Sequence, residues 1–413
     1  MTAAARGRRL VAVSLPALIA LSCSQRVEPD VIEAGEVVLD VPDIVDVGSA
    51  PDDVSTDNAP DATDATTNDA PDDTPVVQIA AGEYHACALR ESGTIVCWGG
   101  NRAGDLGDGT MDSHLTPAPV VGIDDAAEVV AGAVHTCARR REGSVACWGA
   151  GPQLGSGSSS PSSSTPVPVS GVSTSMQIAA GSQHTCSRSS DGSAVCWGGG
   201  LYLQTPQAIA GASSAVYLAS GRAHACAVLS DGSVTCWGSN VGGEIANSNR
   251  MMFFSSAQGV PGVIGVSTLA CGRDFTCAME GAGIMTWGFN ERLTLGRVTS
   301  LNWDYQPAPM TMPPTANAIA AGFDNVCAWQ HDGPAWCWGA NVYGQLADGT
   351  TTDRGNPIQV PGLDHVAQLA SGSGFICALQ TTGHVLCWGY NSEGQLGLGD
   401  TVNRTVPTRV PGL

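Results

Sequence analysis

The sequence has no lysine. All 18 basic residues are arginine, set against 38 acidic residues, for a net charge of −20. Beyond Arg6, Arg8 and Arg9 at the start, positive charge clusters only at Arg139-Arg140-Arg141, which falls in a single hairpin turn. An acidic chain with no basic stripe lacks the electrostatic footprint of a nucleic-acid binder. The apolar run Leu10 to Leu21 has twelve residues and contains Pro16. It is too short to cross a bilayer. There is no Gly-x-Ser-x-Gly, no phosphate loop and no His-Glu-x-x-His, so no common catalytic motif marks an active site. The 15 cysteines include no Cys-x-x-Cys knuckle, which removes the usual zinc reading. No cofactor, metal or catalytic residue is expected.

What the chain does have is one stretch repeated seven times. Residues 82–99 read Gly-Glu-Tyr-His-Ala-Cys-Ala-Leu-Arg-Glu-Ser-Gly-Thr-Ile-Val-Cys-Trp-Gly. Related stretches end at Trp148, Trp197, Trp237, Trp287, Trp338 and Trp388, at a period near 50 residues. A fixed period of this length marks a repeat architecture.

Within one copy, Cys87 to Arg90 and Thr94 to Trp98 are β-prone runs separated by Glu91-Ser92-Gly93. That is a three-residue hairpin loop with glycine where positive φ is needed. Pairing Arg90 with Thr94 sets Leu89 opposite Ile95 and Cys87 opposite Cys97. The cysteines then fall on a non-hydrogen-bonded rung, where Cα atoms approach to about 4.5 Å, within disulfide reach. Six copies carry the pair: Cys87 with Cys97, Cys137 with Cys147, Cys186 with Cys196, Cys226 with Cys236, Cys327 with Cys337, and Cys377 with Cys387. In the fifth copy Thr286 replaces the second cysteine, and an extra Cys271 precedes Cys277. The expected set is six hairpin disulfides plus one between Cys271 and Cys277, which leaves Cys23. Such bonds need an oxidising compartment.

Cys23 has its own explanation. Arg6, Arg8 and Arg9 precede the apolar run, which ends Ala20-Leu21-Ser22-Cys23. Residues 1–23 resemble a bacterial lipoprotein signal, which implies lipidation at Cys23 and stable anchoring by several acyl chains. Residues 24–75 hold 15 acids against Arg26 alone, with Pro, Ala and Thr clusters and no aromatic residue. This composition predicts a disordered, self-repelling linker. Ser24 after the cysteine points to the outer membrane or cell surface. Without lipidation the chain would be periplasmic or secreted.

Residues 76–413 are the repeat domain. Each unit opens with a strand-like run such as Val76 to Ala81, continues through the hairpin, and closes on a proline-led strand such as Pro357 to Leu363. Four short strands per unit make one propeller blade. The fold class is therefore all-β, a seven-bladed β-propeller of four-stranded blades, its ring closed by the N- and C-terminal strands. The chain opens on Val76 and ends on a closing strand at Val406 to Leu413, so the two halves are expected to complete one blade. The motif Gly-x-x-His-x-Cys-Ala-Leu-x-x-x-Gly-x-Val-x-Cys-Trp-Gly-x-Asn-x-x-Gly-Gln-Leu-Gly resembles the repeat of the regulator of chromosome condensation family. That resemblance implies a seven-bladed propeller. The family includes a nuclear nucleotide-exchange factor, a plant ultraviolet receptor and a secreted β-lactamase inhibitor, so it leaves function open.

The repeat histidines His85, His135, His184 and His224 are expected to make structural hydrogen bonds, because Phe275, Asn325 and Phe375 replace them in the other copies. Asp105, Asp108 and Asp348 fit turn chemistry better than a calcium loop. The departures from the repeat are Asn249-Arg250-Met251-Met252-Phe253-Phe254 in the fourth unit, and Arg292 and Trp303-Asp304-Tyr305 in the fifth. Of these, Arg250, Met251, Met252, Phe253, Phe254, Trp303 and Tyr305 have the composition of interface anchors. The function expected is a non-catalytic binding scaffold at the cell envelope. It would act as a monomer with an unidentified protein partner and meet the membrane only through its lipid anchor. The rivals are an enzyme or inhibitor site at the ring centre or rim, a purely structural envelope protein, and nucleotide exchange on a small GTPase.

Overall fold

A computed structural model describes residues 72–199, 203–249, 252–281, 283–299, 302–310 and 316–413. The signal segment, Cys23 and nearly all of the acidic stretch lie outside these residues, as do Arg250 and Met251. Residues Ala70–Leu413 form one compact unit.

Each repeat folds into one four-stranded antiparallel sheet, and the seven sheets form a seven-bladed β-propeller. In blade 1 the strands are Val76–Ala81, His85–Arg90, Ile95–Gly99 and His114–Pro119. We call them strands a to d, from the channel outward. The hairpin has the expected register, with Leu89 opposite Ile95 and Cys87 opposite Cys97. Gly93 sits at φ 102°, which the three-residue loop requires. All six hairpin pairs are bonded as the register expects. Cys87 joins Cys97, Cys137 joins Cys147, and Cys186 joins Cys196. Cys226 joins Cys236, Cys327 joins Cys337, and Cys377 joins Cys387. Their Cα atoms lie 4.0–4.1 Å apart.

Two expectations are corrected. Cys271 and Cys277 are not bonded to each other; both are free and buried. The register places Cys271 opposite Thr276 and Cys277 opposite Ala270. Side chains alternate along a strand, so the two thiols face opposite sides of the blade. The ends of the chain also do not share a blade. Blade 1 has its own strand d, and the last blade is complete from Val366–Ser371 to Arg404–Arg409. Four paired strands in every repeat leave no place for an exchanged one. The ring closes where the first and last blades meet side by side. There the Gln368 amide bridges Ile79, accepting from its N–H at 2.9 Å and donating to its carbonyl at 3.0 Å.

The blades pack by one recurring contact. The disulfide face of each hairpin carries Cys87, Leu89, Ile95 and Cys97 in blade 1, and it packs against Ile123, Val129 and Trp148 of blade 2. The opposite face carries Ala86, Ala88 and Trp98, and it packs against Cys377, Leu379 and Leu396 of blade 7. All seven repeat tryptophans are essentially fully buried. A buried indole N–H needs an acceptor. Six find it in a loop carbonyl of the preceding blade: Trp98 in Gln395, Trp148 in Asp105, Trp197 in Gln153, Trp287 in Glu244, Trp338 in Thr294 and Trp388 in Gln345, at 2.8–3.0 Å. The close approach explains the glycine that follows the loop leucine. A Cβ on Gly107 would come within 2.6 Å of the Trp148 ring, and one on Gly397 within 2.8 Å of Trp98. Trp237 is the exception, since its Nε1 has no partner among the described residues. It faces the third repeat, whose loop is shorter.

The difference between Trp388 and Trp237 gives a stability test. Both lose the same ring area on conversion to Phe, but only Trp388→Phe also strands a buried carbonyl. It should destabilise the protein by about 1–3 kcal/mol more than Trp237→Phe, read from denaturant midpoints. Equal losses would show that the indole hydrogen bond adds nothing beyond packing.

Candidate functional site

Strand b starts where strand c ends, because His85 pairs with Gly99. The a–b turn (82–84) and the c–d loop (100–113) therefore leave the sheet at the same edge. In all seven blades these segments build one face of the ring, here the loop face. At its centre each a–b turn places a glycine at the channel mouth. A Cβ on Gly82 would lie 2.5 Å from the His85 ring and 2.4 Å from the Gly132 carbonyl, so the residue three positions later and the next blade both require glycine there. Backbone N–H groups after these glycines donate across the junctions, as from Glu83 to Gly132 O and from Arg222 to Gly272 O, both 3.2 Å. The mouth encloses about 130 Å³. A chamber of about 420 Å³, lined by the a strands of blades 4 to 7, has Tyr217 and Cys271 as its titratable groups.

The histidines stand behind the mouth. Nε2 of His85, His135 and His224 lies 2.8–2.9 Å from the hydroxyl of Thr136, Thr185 and Thr276 in the next blade. The Thr136 and Thr276 hydroxyls donate onward to the Asp105 and Glu244 carbonyls at 2.8 Å. The proton of the His85 and His224 imidazoles is therefore on Nε2, which leaves the buried Nδ1 of each without a partner. Burial holds these rings neutral, lowering His85 and His184 to about 4 and His135 and His224 to about 3. Among the described residues one group of three side chains brings ligand-type atoms within 4.8 Å of one another: His224, Cys226 and Cys271. Cys226 is already bonded to Cys236, and His224 Nε2 is engaged by Thr276. The cluster therefore offers a metal one uncommitted sulfur and no full ligand set.

The three loop aspartates differ. Asp108 accepts from Thr110 and lies 2.6 Å from His114 Nε2, and Asp348 accepts from Thr350 and is paired with Arg354 at 2.7 Å. Both are committed to their turns. Asp105 is buried at a position where Gln153, Gln345 and Gln395 stand in other repeats, and its Oδ1 has no partner. Glu244 occupies the same position in blade 4, fully buried, with Oε1 unpartnered. Burial raises both carboxyls, Asp105 to about 7.

Around the mouth, exposed and half-buried side chains form an arc from blade 4 to blade 1. Arg222 pairs with Asp274 at 2.9 Å, and Arg273 pairs with Asp324 at 3.0 Å. The Arg273 guanidinium also lies 5.8 and 5.7 Å from the Phe289 and Phe323 rings. Tyr343 and Tyr390 pack at 4.4 Å, and Arg102 lies over Tyr84 and pairs with Glu393. Of the residues chosen from sequence, Met252, Trp303 and Tyr305 come together in one pocket of about 250 Å³ at the outer edge of the loop face, between blades 4 and 5. Met252 is 71% exposed. Phe253 is half-buried. Phe254 instead lies in the core with Trp287 and Ile245. Arg250 and Met251 lie outside the described residues. Sequence reasoning missed the arc because each blade contributes only one or two residues to it, scattered across some 300 positions. The signal was present in a column: the residue after the mouth glycine is Ala or Ser in blades 2, 3 and 7 but Arg222, Arg273 and Phe323 in blades 4 to 6.

The buried Asp105 makes a pH prediction. Its folded-state pKa lies above the ordinary 3.8, so the folded chain keeps a proton that the unfolded chain has lost. Stability falls as pH rises from about 4 to about 7, and the whole cost is present above that window. Asp105→Asn should therefore stabilise the protein by on the order of 1–4 kcal/mol near pH 8 and change little near pH 4. Thermal melts at the two pH values decide it, and an equal shift at both would point to packing instead.

The comparisons with known proteins agree with this architecture. Models of the regulator of chromosome condensation (RCC1) repeat match residues 76–105, 177–204, 215–244 and 366–395, and a second such model matches 92–139, 332–379 and 382–413. The mitochondrial RCC1 domain-containing protein RUG3 of Arabidopsis thaliana is 29% identical over 100 residues, 24% of this chain and 22% of that protein. The match thus spans about a fifth of the relative's length. Among solved structures, yeast RCC1 (Prp20), in its complex with Kap60, superposes with a TM-score of 0.70 at 21% identity, covering 78% of this chain and 85% of that one. Prp20p of Saccharomyces cerevisiae, in a structure reported with its binding properties to Gsp1p and histones, gives 0.68 at 19% identity, with 82% and 88% covered. At these identities the likeness shows the fold. With the seven blades, the repeat hairpins and these matches together, the chain belongs to the RCC1 repeat family.

Proposed function

We propose that this protein is an exported propeller, lipid-anchored through Cys23 at the outer membrane or cell surface. Residues 24–75 form its linker, and its loop face serves as a non-catalytic protein-binding surface. One observation carries the binding role. Arg222, Arg273, Phe289 and Phe323 cluster on the loop face, the Tyr343–Tyr390 pair lies on the same face, and the Met252–Trp303–Tyr305 pocket sits at its outer edge. Aromatic, Met and Arg side chains are the residues that protein interfaces concentrate at their centres. The interleaved acids Asp274 and Asp324 hold the arginines in place, so the surface is ordered before a partner arrives.

Six hairpin disulfides support an extracytoplasmic setting, since such bonds persist where the environment is oxidising. The solved relatives with Kap60, and with Gsp1p and histones, are propellers described with protein partners. The partner proposed here is a different protein, met outside the cytoplasm.

Two measurements test the reading. Met252→Ser combined with Tyr343→Ser alters exposed positions, so the unfolding midpoint should be nearly unchanged. Chemical crosslinks from the full-length protein to envelope proteins should fall by roughly tenfold or more, the loss expected when interface anchors worth at least about 1.4 kcal/mol are removed. Unchanged crosslinks would sink the loop-face assignment. Separately, mass spectrometry of the membrane fraction should find an N-terminus at Cys23 carrying acyl chains. An intact Met1 would remove the anchor and the compartment together.

A further inference from the structure

Blade 5 departs from its siblings in its cysteines. Thr286 faces Cys277 across the hairpin, so Cys277 has no partner there. Cys271 is an addition, because the same strand-a position holds alanine or serine in the six other blades. Cys277 packs toward blade 6 with Met279 and Leu295. Cys271 packs the other way, in the cluster that holds Cys226 and Cys236 of blade 4. Its Sγ lies within 4.8 Å of Cys226 Sγ and of a His224 ring nitrogen. The junction of blades 4 and 5 thus brings a free thiol up to a closed disulfide. At the junctions facing the other five disulfides, the equivalent side chain is Ala or Ser.

We propose that Cys226 exchanges disulfide partners between Cys236 of its own hairpin and Cys271 of the next blade, so that this junction holds either an intra-blade or an inter-blade bond. In the step, Cys271 Sγ gives up its proton and bonds to Cys226 Sγ. The Cys226–Cys236 bond breaks, and Cys236 leaves as a thiolate that takes up a proton. One disulfide replaces another, so no oxidant or reductant is consumed. Burial keeps the resting state neutral, with the Cys271 thiol pushed up to about 12, so exchange is slow in the closed ring. Cys271 is among the residues that line the channel mouth and the chamber. The new bond would tie together the two blades that share the Met252–Trp303–Tyr305 pocket.

The sibling repeats supply substitutions that the fold already accepts. The oxidised full chain is equilibrated with reduced and oxidised glutathione, alkylated, and mapped by mass spectrometry without reduction. Native protein should give two populations, Cys226–Cys236 with Cys271 alkylated and Cys226–Cys271 with Cys236 alkylated. Cys271→Ala, which matches Ala81 and Ala131, should abolish alkylation of Cys236. Cys236→Thr, which matches Thr286, should move most Cys226 into the bond with Cys271 and leave Cys277 free. The proposal is overturned if Cys236 in native protein is alkylated no more than in Cys271→Ala. It is also overturned if folded Cys236→Thr keeps both Cys226 and Cys271 as free thiols.

Discussion

The ring depends on one contact repeated around it: a buried indole that donates to a loop carbonyl of the blade before. An indole carries a large apolar surface and one obligatory donor. Packing alone would allow the blades to slide, because disulfide faces and tryptophan faces are both flat and apolar. The hydrogen bond from Trp98 to Gln395 O, repeated at five further junctions, fixes the height of each blade against its neighbour. It also dictates the loop, whose backbone must pass within van der Waals distance of the ring. This is why Gly107 and Gly397 adopt φ near 70° and tolerate no side chain. The repeat spelling Trp-Gly … Gly-Gln-Leu-Gly is the trace of that contact in the sequence.

A second layer of polar contacts runs closer to the axis. Each His–Thr bond spans a junction, and the Gln78, Gln177 and Gln368 amides join the inner strand of one blade to that of the next. The histidines and threonines are buried and the glutamines partly so, and a missing partner at a buried group would cost on the order of 1–3 kcal/mol. The ring can therefore absorb variation only where the replacement is apolar or self-sufficient. Phe275 and Phe375 fill the histidine position with a ring that needs no partner. Asp105 and Glu244 are the opposite case. They put a carboxyl where Gln153, Gln345 and Gln395 carry an amide in other repeats, and the protein holds them at raised pKa.

Much of this was legible from the sequence, because a repeat is its own control. The register of the hairpin followed from the glycine in its turn, and six disulfides followed from the register. Cys271 and Cys277 were misread for a physical reason. They were paired as the cysteines left after the six hairpin pairs and Cys23, but facing direction is set by cross-strand register, and one residue of offset reverses it. The shared blade at the chain ends failed differently: an opening strand at Val76 does not reveal whether its outer partner comes from the same repeat or from the far end of the chain. The loop-face arc was invisible because Arg273, Phe289 and Phe323 meet only after blades 5 and 6 are packed. Met252, Trp303 and Tyr305 were found as departures from the repeat, yet Phe254, chosen by the same rule, went to the core. Composition marks a residue as unusual and cannot say which way it points.

The departures from sevenfold regularity are not spread evenly. Most of them fall in blades 4 and 5, which carry the unbonded Cys271 and Cys277, the buried Glu244, the Arg222–Asp274 pair and the Met252–Trp303–Tyr305 pocket. A propeller gains its stability from equivalent junctions, so each break in the pattern weakens one junction relative to the rest. Trp237, at the junction of blades 3 and 4, is the tryptophan without an acceptor, and blade 5 is the blade without a hairpin disulfide. The most adaptable sector of the ring is therefore the one that carries the outer pocket and one end of the aromatic and arginine arc. That coincidence is what the proposed binding role would use: the regular junctions would hold the geometry, and the irregular ones would carry the side chains that meet a partner.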